Sequence, residues 1–330
     1  MNDTNLFGYA TSELSQDAFI CWLLSHAKTN NQNKNPAITQ CALDVIHEIP
    51  QLSKATDISD IWRQFSTGNV RIDILLKIDN YKVIIEDKIG SAATDSQIQS
   101  QKNALIASGV PANQIICVFY KTIPQCYRPK TADKIFNRAD LLKIFNKYKT
   151  IIHSDIFIDY VEYLENFDHE ENLYKTLPVS QWWGAPYMGF FEHLIKTGLV
   201  SKQNWWGYVP NPNGGFMCLS WHPLSYNELD NIGLTEEYCD EFKLQIENDK
   251  IAVKISADVG KCDKAKVIRA RQAIFDYFQK CIPYFKKPQR RVFANWMTVG
   301  YIRYDENNYA NQIKLMNATF IQMKTNFKFP

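Results

Sequence analysis

The sequence predicts an α/β domain followed by an α+β domain built on an antiparallel sheet, in a chain of 330 residues. In the first half, helical patterns alternate with short strands, and the runs 72–78 and 115–120 are apolar enough for strands buried on both faces. In the second half, the turn sequences Asn211–Gly215 and Asn248–Lys250 each separate two strand-like runs, which is typical of β-hairpins.

The first domain is predicted to begin with two helices. Leu14, Phe19, Trp22 and Leu23 share a broad apolar face on the first helix, and Pro36 is tolerated in the first turn of the second. Strands, a third helix and two closing helices follow. The predicted helices are Glu13–Ala27, Pro36–Ile49, Asp95–Ala107, Arg138–Tyr148 and Asp155–Asn166, and the predicted strands are Ile61–Phe65, 71–78, 81–86 and Ile115–Tyr120.

The second domain is predicted to start after an acidic and polar linker, Phe167–Thr176. This boundary assigns residues 1–166 to the first domain and residues 167–330 to the second, and 330 residues are enough to bury two cores. Strands that pair through short turns, together with one long helix, indicate an α+β arrangement. The predicted strands are Trp205–Pro210, Phe216–Trp221, Phe242–Glu247, Ile251–Ile255 and one or two within Val292–Tyr304, and the long helix is Lys264–Cys281.

Residues 71–88 contain the most informative pattern of the chain. Asp79 and Asn80 are turn residues between two runs of aliphatic and β-branched side chains, so the segment is predicted to form a hairpin. Glu86 and Lys88 are two residues apart on the second strand and project from the same face, where Asp73 on the first strand can reach them. A hairpin with ordinary surface charges gives the same pattern, but charges embedded in apolar strands are costly unless they are paired or bind a metal.

These three side chains suit phosphodiester hydrolysis. Two carboxylates, Asp73 and Glu86, form a hard oxygen site that matches Mg²⁺ and leaves several positions for water. A metal bound there lowers the pKa of a water molecule and neutralises charge on a phosphoryl oxygen. Lys88 can then orient or deprotonate the attacking water, or stabilise the pentavalent phosphate.

The pattern resembles the PD-(D/E)XK nuclease superfamily. Ile72-Asp73 matches the first half of its motif, Glu86-Asp87-Lys88 matches the second half, and the segment Glu13–Leu24 resembles the opening helix of bacterial members. The resemblance covers roughly residues 10–150. It implies an α/β fold with a restriction-endonuclease-like core, in which a helix, a mixed sheet with the catalytic hairpin, a second helix and a strand follow one another.

The resemblance also implies an activity and a set of site residues. The activity is metal-dependent hydrolysis of DNA that leaves a 5′-phosphate, with Mg²⁺ or Mn²⁺ as the cofactor. The metal ligands would be Asp73 and Glu86, with the backbone carbonyl of Asp87 and with Glu13 completing the site. Lys88 would be the catalytic lysine, and Gln97 would orient it or contact a phosphate.

Two residues depart from the family pattern, and one further acid is an alternative ligand. Ile72 stands where the family name has proline, which is a mild deviation. Gln101 stands where the exonuclease-like members have tyrosine, which speaks against that branch. Asp17 lies one turn after Glu13 on the same helix face and is the alternative to Glu13 as the helix acid.

Two blocks of the chain are strongly basic and are candidates for nucleic-acid binding. Residues 121–149 carry a net charge of +6 and residues 261–291 a net charge of +8, although the whole chain is close to neutral at +2. Such blocks suggest a track for a polyanion, and the alternative is a solvated helix face. The residues of the second domain predicted to bind nucleic acid are Lys264, Arg269, Arg271, Lys286, Lys287, Arg290 and Arg291.

The remaining features set the expected compartment and partners. The sequence shows no signal-peptide pattern and no apolar run of membrane-spanning length, and its eight cysteines lack C-x-x-C spacing, so we expect a cytoplasmic protein with free thiols. DNA is the expected partner, and RNA as substrate, a homo-oligomer and a protein partner for the second domain stay open. A binding module on a nuclease-like scaffold, with little or no hydrolysis, is the alternative function. The pairs Trp182-Trp183 and Trp205-Trp206 fit a structural role better than base stacking.

Overall fold

The computed structural model describes residues 4–211, 214–231, 241–290 and 292–327. The chain divides into two compact units, residues 1–170 and residues 171–330. Among the described helices, none is long and apolar enough to cross a membrane.

The first unit is a five-stranded mixed sheet with helices. The strands are β1 (Asp60–Thr67), β2 (Val70–Ile78), β3 (Tyr81–Lys88), β4 (Ile115–Lys121) and β5 (Lys134–Asn137), in the spatial order β1-β2-β3-β4-β5. The first three strands pair antiparallel, whereas β4 and β5 run parallel to β3. The helices are α1 (Leu6–Tyr9), α2 (Glu13–Ser25), α3 (Pro36–His47), α4 (Asp95–Ala107), α5 (Arg138–Phe145) and α6 (Asp155–Asn172).

Local sequence explains where these elements begin and turn. Asn35 accepts a hydrogen bond from the backbone of Ile38 and caps α3, and Thr94 caps α4 in the same way. Asp79 occupies the left-handed region at φ 48° in the tight turn between β2 and β3, a conformation that aspartate tolerates better than most residues.

Both faces of the first sheet are buried. Ile74 and Ile85 belong to the core under α2, α3, α5 and α6, whereas Ile72 and Ile84 belong to the core under α4. This two-sided burial explains the unbroken apolar runs in the sequence. Ile72 and Ile74 lie on opposite faces although they are two residues apart, so the regular alternation of β2 is interrupted at Asp73.

The second unit contains a five-stranded antiparallel sheet. Its strands are β6 (Asn204–Val209), β7 (Phe216–Trp221), β8 (Glu241–Glu247), β9 (Lys250–Ser256) and β10 (Trp296–Arg303), in the order β10-β9-β8-β7-β6. The helices are α7 (Ala185–Lys196), α8 (Tyr226–Asn231), α9 (Lys264–Cys281) and α10 (Tyr309–Asn326). The ring of Phe242 on β8 stacks on Phe320 of α10 at 4.1 Å, so α10 packs on one face of this sheet.

The prediction of an α/β mixed sheet followed by an antiparallel sheet is confirmed, with differences in detail. α6 continues to Asn172 and therefore includes six of the ten residues predicted as a linker, 167–176. β5 is a strand of four residues that the sequence analysis missed. Val292–Tyr304 supplies one strand, β10, within its described residues. Residues 212 and 213 of the predicted Asn211–Gly215 turn lie outside the described residues.

Candidate active site

Asp73, in the first half of β2, lies beside Glu86 and Lys88 at the end of β3. The ammonium nitrogen of Lys88 lies 2.5 Å from Glu86 Oε1 and 3.1 Å from Asp73 Oδ2. The same nitrogen donates to the backbone oxygen of Asp87 at 2.8 Å. Glu13, the first residue of α2, places Oε2 3.9 Å from Lys88 Nζ. The structure therefore brings together four of the residues that the sequence predicted for one site.

The cluster is closed on one side and open on the other. The side chain of Glu86 is fully buried and that of Lys88 is 11% exposed, whereas the side chains of Asp73 and Glu13 are 20% and 38% exposed. Any substrate or ion must therefore approach from the side of Asp73 and Glu13.

Two glutamines of α4 hold the buried carboxylate of Glu86. Gln97 Nε2 donates to Glu86 Oε1 at 2.5 Å, and Gln101 Nε2 donates to Glu86 Oε2 at 2.5 Å. Gln101 also donates to the backbone oxygen of Arg71 at 3.1 Å. Gln97 and Gln101 are four residues apart and share one face of the helix. The sequence predicts that Gln97 orients Lys88 or contacts a phosphate; in the structure its amide contacts Glu86 Oε1, the oxygen that Lys88 also contacts.

Asp87 points away from the cluster into the protein. Its Oδ1 accepts a 2.5 Å hydrogen bond from Gln16 on α2, and Gln16 Oε1 in turn accepts from the hydroxyls of Thr122 and Tyr160. These contacts are buried, so the middle residue of the motif joins the hairpin to α2. Gln16 was absent from the residues that the sequence singled out.

Asp17 lies close to the cluster but is less accessible than Glu13. Gln64 donates to Asp17 Oδ2 and reaches Asp73 Oδ1 at 3.4 Å. Gln64 has a positive φ of 53°, a strained conformation for a residue other than glycine. It stands opposite Asp73, at the position where the alternation of β2 is interrupted. The side chain of Gln64 thereby joins Asp17 of α2 to Asp73 of β2.

The carboxylate of Glu13 is oriented by the loop after β3. Glu13 Oε1 accepts from the backbone nitrogen of Ile89 at 3.2 Å and from the hydroxyl of Ser91 at 2.6 Å. Its second oxygen, Oε2, is the one that faces Lys88. Glu13 thus places a carboxylate oxygen near Lys88, and its part in a metal site stays a prediction.

Residues 4–120 match the family model of the PD-(D/E)XK nuclease superfamily. This segment, which lies within the first unit, is therefore similar to that superfamily. The matched segment includes Glu13, the hairpin with Asp73, Glu86 and Lys88, and both glutamines of α4. No curated protein and no solved structure matches the chain.

The electrostatics of the cluster keep Lys88 charged. Burial lowers the pKa of Lys88, but the hydrogen bond and charge of Glu86, together with Asp73, outweigh burial and raise this pKa above its ordinary value. Burial raises the pKa of Glu86, and the charge of Asp73 adds to this effect against Lys88 and Gln101. Lys88 is therefore an ammonium group at neutral pH, which suits it to donate hydrogen bonds rather than to remove a proton.

Asp17 and Asp87 form a second acidic pair behind the cluster. Burial first, and Asp73 second, raise the pKa of Asp17 to about 6. Burial also raises the pKa of Asp87 well above its ordinary value. Asp17 Oδ1 and Asp87 Oδ2 are buried, and the side chains of Asp17 and Asp87 are hydrogen-bonded to each other. Such a contact requires a proton on one of the two carboxyl groups, which the raised pKa values favour.

The oxygen atoms around Lys88 fit a divalent metal of the Mg²⁺ type. In the described part of the chain, no three Asp, Glu, His or Cys side chains are grouped to hold a metal by themselves. Here, however, one carboxylate oxygen each from Asp73 and Glu86 and the carbonyl of Asp87 converge on a single cationic atom. This all-oxygen set with few protein ligands suits Mg²⁺ or Mn²⁺, which retain several waters.

The basic residues predicted to bind nucleic acid have different surroundings in the second unit. Arg271 is buried, and its guanidinium donates to the backbone oxygens of Thr298, at 2.5 Å and 3.0 Å, and of Val292, at 3.3 Å. It is therefore not available to a phosphate, and the prediction that Arg271 binds nucleic acid is wrong. Arg291 lies outside the described residues. The exposed members are Lys264, Arg269, Lys286, Lys287 and Arg290.

Each tryptophan pair of the second unit has one buried and one exposed member. Trp182 and Trp206 are buried, whereas Trp183 and Trp205 are exposed. Trp182 also donates its indole N–H to the backbone oxygen of Leu177 at 2.8 Å. The buried member of each pair packs within the second unit, in keeping with a structural role for that member.

Proposed function

We propose that this protein is a metal-dependent nuclease that hydrolyses phosphodiester bonds of DNA. The observation that carries this proposal is the convergence of Asp73, Glu86 and the carbonyl of Asp87 on Lys88, with Glu13 beside them. An ion pair with a purely structural role would not need four oxygens around one ammonium group. It would also not need a part of the cluster to be open to solvent.

The chain's own residues would divide the chemistry as follows. Asp73, Glu86 and the Asp87 carbonyl would hold Mg²⁺ or Mn²⁺, and Glu13 would bind through water or complete a second position. The bound ion would neutralise charge on a phosphoryl oxygen and supply a more acidic water. Gln97 and Gln101 would keep Glu86 in one orientation, so that little reorganisation is needed during the reaction.

Lys88 would act on the phosphate and the attacking water as a hydrogen-bond donor. Its three N–H groups now point to Glu86, Asp73 and the Asp87 carbonyl, which are the atoms that a metal would take. With these oxygens committed to a metal, Lys88 would be able to donate to a phosphate oxygen or to orient the water. Charge on that phosphate increases in the transition state, where a fixed ammonium group stabilises it most.

The substrate would reach the cluster from the open side, past Asp73 and Glu13. The exposed cations Lys264, Arg269, Lys286, Lys287 and Arg290 of the second unit support a polyanionic substrate, because each can neutralise a phosphate. The match to a superfamily whose members are generally nucleases supports a nucleic acid as this polyanion, and we propose that it is DNA.

The test is cleavage of linear duplex, circular duplex and single-stranded DNA, and of matched RNA, with Mg²⁺, with Mn²⁺ and with EDTA. We expect metal-dependent cleavage of at least one DNA substrate, which Lys88→Ala abolishes. The matched control is Lys77→Ala, which removes an exposed lysine of β2 and should leave cleavage unchanged. Cleavage of RNA alone would correct the substrate class. Binding without cleavage by the wild-type protein would overturn the proposal in favour of a binding module.

A further inference from the structure

Lys121 is a buried lysine to which the proposed reaction gives no role. It is the last residue of β4, and it stands in register with Lys88 on the parallel strand β3. Its residue surface is only 5% exposed. A buried ammonium group is costly unless its donors are satisfied, so its contacts indicate what it is for.

The acceptors of Lys121 belong to the loop that follows the catalytic lysine. Among the described residues, Lys121 Nζ donates to the backbone oxygens of Ile89, at 2.8 Å, and Ser91, at 2.6 Å. The carbonyl oxygens of Ile89 and Ser91 thus both accept from Lys121 Nζ. The loop is also tied to the chain after β4, because Thr122 N donates to Lys88 O at 3.1 Å and Ile123 N to Ile89 O at 3.1 Å.

The opposite side of the same loop holds Glu13. Ile89 supplies its N–H and Ser91 its hydroxyl to the single oxygen Glu13 Oε1. Lys121 therefore binds the carbonyl oxygens of Ile89 and Ser91, the two residues that donate hydrogen bonds to Glu13. The charge of Glu13 partly offsets the lowering of the Lys121 pKa by burial, which places the two groups in one electrostatic environment.

We propose that Lys121 is a positioning residue that fixes the loop of residues 89–91 and, through it, the carboxylate of Glu13. This inference rests on the proposed function, in which Glu13 completes the metal site. Residues that orient metal ligands without touching the metal typically change metal affinity by 10–100-fold when replaced. Lys121 should therefore affect the binding of metal more than the binding of DNA.

The experiment compares Lys121→Met with wild type in two assays, Mn²⁺ binding by calorimetry and the Mg²⁺ concentration that gives half-maximal cleavage. We expect both to weaken by about tenfold, while KM for DNA stays within twofold at saturating Mg²⁺. Lys121→Arg keeps donors at this position and should recover part of the loss. Lys77→Met, at an exposed position, is the matched control.

A second variant keeps the test decisive if Lys121→Met does not fold. Ser91→Ala removes only the hydroxyl that binds Glu13 and should weaken Mn²⁺ binding in the same direction. In a Glu13→Gln background, neither variant should cause a further loss, because residues that act through one group are not additive. Unchanged Mn²⁺ affinity in folded Lys121→Met would overturn the inference. It would also be overturned if Lys121→Met weakened Mn²⁺ binding as much in the Glu13→Gln background as it does in wild type.

The calorimetric arm separates this inference from the proposed function. If wild type binds Mn²⁺ but cleaves nothing, the nuclease proposal fails while the role of Lys121 is still decided by Mn²⁺ affinity. If wild type binds no Mn²⁺, both proposals fail.

Discussion

Replacing Lys88 with methionine should destabilise the metal-free first unit at pH 8. The variant leaves the fully buried carboxylate of Glu86 without the ammonium group that lies 2.5 Å away. Removal of one member of a buried ion pair costs about 3–5 kcal/mol. Gln97 and Gln101 still donate to Glu86, and Asp73 is partly solvated, so we expect the lower end, about 3 kcal/mol. In a unit of 170 residues this corresponds to a decrease in Tm of about 6–12 °C.

The destabilisation should depend on pH in a defined direction. Burial and Asp73 raise the pKa of Glu86, and Lys88 lowers it. The loss of Lys88 therefore moves the pKa of Glu86 in the folded state further above its value in the unfolded state. A carboxyl with a raised pKa binds more protons in the folded state, and stability then falls as pH rises from the unfolded to the folded pKa. The variant should therefore be closest to wild type at pH 5 and furthest from it at pH 8.

Differential scanning calorimetry of the full chain in EDTA measures this effect at both pH values. Lys77→Met is the control for loss of a lysine on the same sheet and should leave Tm within 2 °C at both. Addition of Mg²⁺ should recover part of the lost stability, because the metal replaces the missing positive charge. A Lys88→Met protein with the wild-type Tm at pH 8 in EDTA would refute the assignment of Lys88 as the counter-charge of Glu86.

Three further changes test other parts of the molecule. Asp73→Asn should raise the Tm of the metal-free protein by a few degrees at pH 8, because the charge of Asp73 raises the pKa of three neighbouring acids. The same change should abolish cleavage. A lower Tm would contradict the predicted stabilisation. Gln101→Leu should cost about 1.5–3 kcal/mol in denaturant unfolding, because a buried carboxylate loses a donor, and an unchanged midpoint would argue against the contact. In filter binding, glutamine replacements of exposed cations should flatten the slope of log K against log salt by about 0.9 for each lost phosphate contact with duplex DNA; the replaced residues are Lys286, Lys287 and Arg290.

Arg271 provides the control for the cation replacements. Arg271→Gln also removes one positive charge, but this guanidinium is occupied by backbone oxygens of Thr298 and Val292. It should lower Tm and leave the salt slope unchanged. A salt slope that changes with Arg271 and stays constant with Lys286, Lys287 and Arg290 would place the nucleic-acid contacts elsewhere.

The proximity of Asp73, Glu86 and Lys88 could be predicted because their geometry is local. Glu86 and Lys88 are two apart on one strand, and the turn at Asp79 returns the chain beside them, so strand periodicity alone brings these groups together. The acid of α2 needed the family resemblance, because nothing in residues 13–25 states which strand the helix approaches.

The supporting glutamines could not be predicted with the same ease. Gln101 was noted only as a departure from a family pattern, although its four-residue spacing from Gln97 places both on one helix face. The position of the Gln64 side chain depends on a positive φ at this residue, which residue preferences do not predict for glutamine. Arg271 was misjudged because local charge was counted without helix periodicity. It shares the apolar stripe of Val267, Ile274 and Phe278 on α9, which would have indicated burial.

The contact between Gln16 and Asp87 has a consequence for how such sequences diverge. Gln16 lies one turn after Glu13 on α2, and Asp87 lies between Glu86 and Lys88 on β3. The hydrogen bond between Gln16 and Asp87 therefore fixes α2 against β3 close to Glu13, Glu86 and Lys88. In relatives that keep this geometry, positions 16 and 87 should vary together, as one amide and one acid or as an apolar pair of similar volume. A replacement at one position alone would be expected only where the motif itself has been lost.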